Sequence, residues 1–119
     1  MSQSIVKYAC EELGHAQISR ILVGNAPWFK AKDVVQILKH TNTAKALKDH
    51  VDDEDRRKYE DLAQNGPSEH TVRADASISK VNFVNESGLY ALIFGSSLQE
   101  AKIFKRWVIN EVLPQIRKT

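Results

Sequence analysis

An α+β fold is what the sequence predicts: small antiparallel β-hairpins packed with about four to five helices, among them a helix-turn-helix-like pair and a long C-terminal helix. Three observations carry that expectation. A short apolar run returns on itself across Gly24-Asn25. The period then changes to that of a helix over Ala31 to Val51. A second strand-like stretch is followed by an apolar helical stripe that runs to Val112. The order strands, helices, strands, helices is that of a segregated α+β domain.

Ile18 to Lys30 reads as a hairpin, with Ile21-Leu22-Val23 outbound and Pro27-Trp28-Phe29 returning. Pro27 has no N–H for a ladder, so it belongs at a strand start or an edge. Ile5 to Cys10 reads as a further strand. From Ala31 to Leu38, Ala31, Val34, Val35 and Leu38 share one helical face, and Lys32, Gln36 and Lys39 share the other. His40-Thr41-Asn42 breaks the period, and Thr43 is placed to cap a second helix through its hydroxyl. On that helix Ala44, Leu47 and Val51 point inward, leaving Lys45, Lys48 and Asp49 outside.

Asp52 to Gln64 is dense in charge and reads as a solvated turn or short helix. Asn65-Gly66-Pro67-Ser68 is the strongest loop signal. Thr71 to Asp75 and Lys80 to Val84 read as two strands, with Val72, Val81 and Phe83 packing. Gly88 to Phe94 is a short apolar helix ended by Gly95. Ser97-Leu98-Gln99-Glu100 has the form of a capping box. Behind it Ala101, Phe104, Trp107, Val108 and Val112 lie inward, Lys102, Lys105 and Arg106 outward, and Pro114 ends the helix or follows it closely.

At 119 residues the chain reads as one domain, 1–119. A domain of this size buries roughly 65% of its unfolded surface and needs no disulfide framework. Apolar residues are 42% and charged residues 27%, which excludes collagen-like, coiled-coil and wholly disordered classes. No apolar run reaches the roughly 20 residues of a membrane helix, so no membrane partner is expected. The start carries Glu11 and Glu12 and no apolar stretch, so no secretory signal is expected either. A single cysteine, Cys10, suits a reducing, intracellular address.

The net charge of +2 hides a segregation. Residues 1–27 are neutral, 28–48 carry +4, 49–69 carry −5 and 70–119 carry +3. A basic segment beside an acidic one can build a directional field, although a mixed solvated surface would look the same.

The two short amphipathic helices of 31–51 have the outline of a helix-turn-helix, whose second helix can enter the major groove. Lys39, Lys45 and Lys48, with Asn42 and Thr43 at the helix start, are side chains suited to phosphates and base edges. The strands around Ala76 to Ser79 would add a wing carrying Arg73 and Lys80, and a plain hairpin is the simpler reading. Lys102, Lys105 and Arg106 share a helix stripe and form a secondary basic face, which a solvated surface explains as well. Asp52, Asp53, Glu54 and Asp55 are contiguous and converge poorly, so they do not make a metal site. His15, His40, His50 and His70 lack ligand spacing. No phosphate loop or nucleophile elbow is present, so no catalytic residue, metal or cofactor is assigned and an enzyme is not expected.

Three stretches carry a family resemblance. Pro27-Trp28-Phe29-Lys30-Ala31-Lys32-Asp33-Val34 resembles the opening of the BRO-N domain, the N-terminal domain of Bro proteins and phage antirepressors. Asn85 to Phe94, reading NESGLYALIF, resembles its central element. Ala101, Phe104, Arg106-Trp107-Val108 and Glu111 to Arg117 resemble its last helix. The motifs keep the family order over residues 18–119 and leave 1–17 outside. The resemblance implies a DNA-binding α+β domain of large DNA viruses, phages and mobile elements.

The expected function is binding of double-stranded DNA in transcription regulation, by Lys39, Lys45 and Lys48 together with Arg73 and Lys80. Five neutralised phosphates would give a slope of log K against log[salt] of about −4 to −5. Palindromic sites are read by dimers, which makes a homodimer the natural assembly. The alternative is a protein-interaction module that holds a repressor or a host chromatin protein through the acidic segment 49–61. A viral protein would work in the host nucleus or cytoplasm, a phage protein in the bacterial cytoplasm.

Overall fold

The computed structural model describes residues 5–39, 42–65, 80–96 and 98–116. A five-stranded sheet with every neighbouring pair antiparallel runs in the order β1-β2-β3-β5-β4. Its strands are β1 (Val6–Cys10), β2 (Ala16–Val23), β3 (Ala26–Lys30), β4 (Arg56–Lys58) and β5 (Asn82–Val84). The helices are α1 (Ala31–Ile37), α2 (Thr43–His50), α3 (Tyr59–Asn65), α4 (Glu86–Phe94), α5 (Gln99–Trp107) and α6 (Leu113–Ile116). A π-helical turn, Val108–Val112, joins α5 to α6 without a break. The fold is α+β, and its last helical stretch is the long C-terminal helix that the apolar stripe predicts.

Period-two alternation sorts the sheet residues between two cores. Ile18, Phe29 and Val84 face the main core, which holds Val34 and Val35 of α1, Leu47 of α2, Leu89 and Leu92 of α4, and Phe104 of α5. Ile21 and Phe83 face the other way and pack with Tyr59 and Leu62 of α3, flanked by Val23, Trp28 and Val81. Helices therefore cover both faces: α1, α2, α4 and α5 on one, α3 on the other.

The β2–β3 hairpin pairs Val23 with Ala26 across a two-residue turn. Gly24 supplies the positive φ of 65° that its first central position demands. Where β3 gives way to α1, the Asp33 carboxylate accepts the Ser19 N–H at 2.9 Å. That contact satisfies a strand donor that would otherwise lack a partner at the buried end of the ladder.

Several sequence expectations are corrected. The second helix is capped by Asn42, whose Oδ1 accepts the Lys45 N–H at 3.0 Å, and Thr43 is its first residue. Ala44 is exposed, and Ala46 takes the inward place beside Leu47. The stretch 52–64 holds the expected turn (Asp53–Asp55) and short helix (most of α3), but a strand, β4, lies between them. Arg-Arg-Lys has no apolar signal, and β4 exists because β5 supplies its hydrogen-bonding partner. The strand expected at 80–84 is shorter, Asn82–Val84. Leu98, not Ser97, is the N-cap of α5 and makes no side-chain cap; the Ser96 hydroxyl accepts the Leu98 N–H instead. Pro114 does not end the last helix. The preceding turn widens so that the Leu113 N–H reaches the Val108 carbonyl, which accommodates a residue without an N–H of its own. The expected strand 71–75, with Val72, and the connection 76–79 lie outside the described residues.

Candidate nucleic-acid interface

The candidate interface starts from α2. Its eight residues make too short a helix to persist alone, so packing and capping hold it. Ala46, Leu47 and Val51 bury one side in the main core. The Asn42 cap fixes its start, and five residues separate it from the end of α1. Lys45 and Lys48 are left exposed on the outer side.

Lys45 is not free. Its Nζ lies 2.9 Å from Oδ2 of Asp49 one turn on. The hydrogen bond holds the Lys45 ammonium above its ordinary pKa and the Asp49 carboxyl below the usual carboxylate range. Lys48 has no ion pair among the described residues.

The remaining expected contacts do not gather around α2. Lys39 follows α1 with a φ of 65° and borders a hollow of about 220 Å³ with Asp33, Gln36 and Glu100. Lys80 reaches Oε2 of Glu60 at 3.4 Å. Glu60 belongs to α3, on the opposite face of the sheet from α2. Arg73 lies outside the described residues. Asn42, Thr43, Lys45 and Lys48 are thus the compact group.

Several carboxylates of the acidic segment are engaged within the chain. Asp49 pairs with Lys45, Asp53 with Arg56 and Glu60 with Lys80. Oδ1 of Asp55 accepts from the Asn85 amide at 3.0 Å, while Oδ1 of Asn85 caps α4 through the Gly88 N–H at 2.9 Å. Among the described residues no three His, Cys, Asp or Glu side chains gather as a metal site. Nor is any described helix long and apolar enough to cross a membrane.

The other basic group sits on α5. Lys102 and Arg106 are exposed, and the Lys105 ammonium lies 5.2 Å from the centroid of the Phe94 ring. Lys102, Lys105 and Arg106 line a hollow of about 530 Å³ with Ile109 and Asn110. Sequence reasoning placed this stripe correctly but missed Phe94, which looks like core in an apolar helix. Only the tertiary structure shows it standing 68% exposed.

Fold and site together define a small α+β domain whose outward-facing basic helix follows a short helix at a tight break. Residues 17–114 match the BRO family, N-terminal domain (Bro-N), and the chain belongs to that family. It is 40% identical over 92 residues to an uncharacterised protein of Haemophilus influenzae, covering 77% of this chain and 40% of that protein. A putative Bro-N domain-containing protein, 289L, of Invertebrate iridescent virus 6 is 36% identical over 101 residues, covering 79% and 24%. An uncharacterised Bro-N domain-containing protein, ORF2, of Autographa californica nuclear polyhedrosis virus is 36% identical over 93 residues, covering 74% and 28%. The chain thus spans well under half the length of these relatives. No solved structure matches it.

Proposed function

We propose that the chain is a DNA-binding domain that holds duplex DNA through the outer face of α2, in the service of transcription regulation. One observation carries the reading. A capped helix buries Ala46 and Leu47, turns Lys45 and Lys48 to solvent, and follows α1 at a five-residue break. Phosphates are met by such lysines without fixed geometry, and Asn42 and Thr43 stand at the end of the helix that would approach the groove. Membership of the Bro-N family supports the same reading.

The acidic-segment alternative is weaker, because its carboxylates at Asp49, Asp53, Asp55 and Glu60 already have partners within the chain. Three of these carboxylates meet a cation and Asp55 meets an amide, which ties them to the chain and leaves them less available to a repressor or chromatin protein.

The test is fluorescence anisotropy of a labelled random-sequence duplex across a salt series. Two phosphates met by Lys45 and Lys48 give a slope of log K against log[salt] of about −2. Lys45→Glu with Lys48→Glu removes binding at the lowest salt. A flat titration, or a double variant that binds as well as the parent, rejects the reading.

A further inference from the structure

We propose that the surface around Phe94, between the end of α4 and the outer face of α5, docks an acidic protein segment anchored by an apolar side chain. Large exposed apolar side chains are few among the described residues: Ile5, Phe94 and Ile109. Two of the three belong to this surface, with Phe94 68% and Ile109 43% exposed. Lys105 joins them: its ammonium packs on the Phe94 ring, and with Ile109 it lines the hollow of about 530 Å³.

Phe94 is also held in place. Its ring stacks on Tyr90 one turn earlier, with centroids 6.2 Å apart and planes 21° from parallel, while Lys105 approaches it from α5. An aromatic side chain that is fixed before binding and still exposed forms an anchor at low entropic cost.

The charge around it is uncompensated. No ion pair engages Lys102, Lys105 or Arg106 among the described residues, whereas Lys45, Arg56 and Lys80 are each matched. The nearest carboxylates along the helix serve other hollows: Glu100 borders the one beside Lys39, and Glu111 the one beside Pro114 and Gln115. The surface therefore offers an aromatic ring with Lys105 against it, continued through Lys105 into a hollow that Lys102, Arg106 and Ile109 also line. A sugar-phosphate backbone would use the cations and leave Phe94 and Ile109 over polar atoms. A segment bearing carboxylates beside a Leu or Phe uses both, burying apolar surface at the centre with charge complementarity at the rim.

The probe is a short labelled peptide of Asp and Glu carrying one Leu and one Phe a helical turn apart, titrated with the full chain by anisotropy. A sister peptide has Ser in place of Leu and Phe. The first peptide binds saturably, and the Ser peptide binds about tenfold more weakly, as loss of a central anchor implies. Phe94→Ser weakens the first peptide by about the same factor. Lys102→Glu with Arg106→Glu, both exposed and outside the core, does likewise, and Lys45→Glu with Lys48→Glu leaves peptide binding unchanged. Circular dichroism checks that each variant keeps its helices.

The proposal falls if the first peptide shows no saturable binding at low salt. It also falls if the Ser peptide binds equally well, or if Phe94→Ser has no effect. Duplex DNA affinity that falls with the α5 substitutions while peptide affinity does not would make this a nucleic-acid surface. Self-association lost on Phe94→Ser, seen by sedimentation, would make the occupant a second copy. Either result overturns the proposal. Because α2 is untouched by these variants, failure here leaves the DNA reading standing, and the converse holds.

Discussion

Two basic helices, α2 and α5, look alike as sequence and differ as surfaces. Each turns lysines outward from a buried apolar stripe. On α2 an acidic residue acts on one of the cations: Asp49 holds Lys45. On α5 Lys105 lies against the exposed Phe94 ring, all three cations line a hollow with Ile109, and none has a carboxylate partner among the described residues. Net charge per segment misses this distinction, because it counts charges without asking which ones already meet. The useful quantity for a binding surface is the charge left over after the chain has paired what it can.

The comparison can be broken most forcefully at Gly88, on which the α2 side rests. A Cβ there would lie 2.9 Å from the Val84 Cβ, 3.0 Å from the Asp55 carbonyl oxygen and 3.2 Å from a Val51 methyl. Backbone and branched Cβ atoms cannot swing aside, so Gly88→Ala overpacks the seam joining α4 to the acidic turn and to the residue that follows α2. The expected cost is about 1–3 kcal/mol. Urea denaturation reads it as a lower midpoint with an unchanged slope. An unchanged midpoint would mean that this seam yields more easily than its distances indicate.

A smaller effect sharpens the contrast at the start of α2. Asn42→Ala removes the acceptor for the Lys45 N–H and costs about 1 kcal/mol. An eight-residue helix has little other local support, so duplex affinity falls with it while peptide binding at Phe94 is kept. Equal losses at both sites would indicate a global change instead of a local one.

Much of the fold was legible because its signals are local. The β2–β3 hairpin, the inward face of α1 and the stripe Ala101, Phe104, Trp107, Val108 and Val112 all follow from periodicity. What was missed depends on partners distant in sequence or on competing local geometry. Strand β4 is Arg-Arg-Lys and is made by β5. Asn42 and Thr43 are both good caps, and only the backbone decides that the helix begins one residue earlier than a Thr cap would place it. Pro114 signals a helix end, yet a π-turn absorbs it. The candidate site was legible in part. Lys45 with Asp49 is a visible i, i+4 pair, whereas Lys80 with Glu60 and Lys105 with Phe94 join separate elements.

The finest test of the contrast is the Lys45–Asp49 pair itself. Asp49→Asn releases Lys45 from its partner without altering the buried side of α2. If pairing is what separates α2 from α5, the variant binds duplex DNA about two- to threefold more tightly, because Lys45 no longer gives up a partner to meet its phosphate. The pH dependence runs in a defined direction. The hydrogen bond from Lys45 lowers the Asp49 pKa, so its stabilisation is present above the unfolded value of about 3.9 and is lost as pH falls through the lower folded value. Lys45 is raised, so its share persists below the unfolded lysine value and is lost only in strongly alkaline solution. Both groups are at the surface, where solvent screens the pair, so thermal stability near neutrality changes little while DNA affinity responds. A parent chain whose duplex affinity equals that of Asp49→Asn would show that the pair opens freely, and that charge left over after pairing is not what distinguishes the two helices.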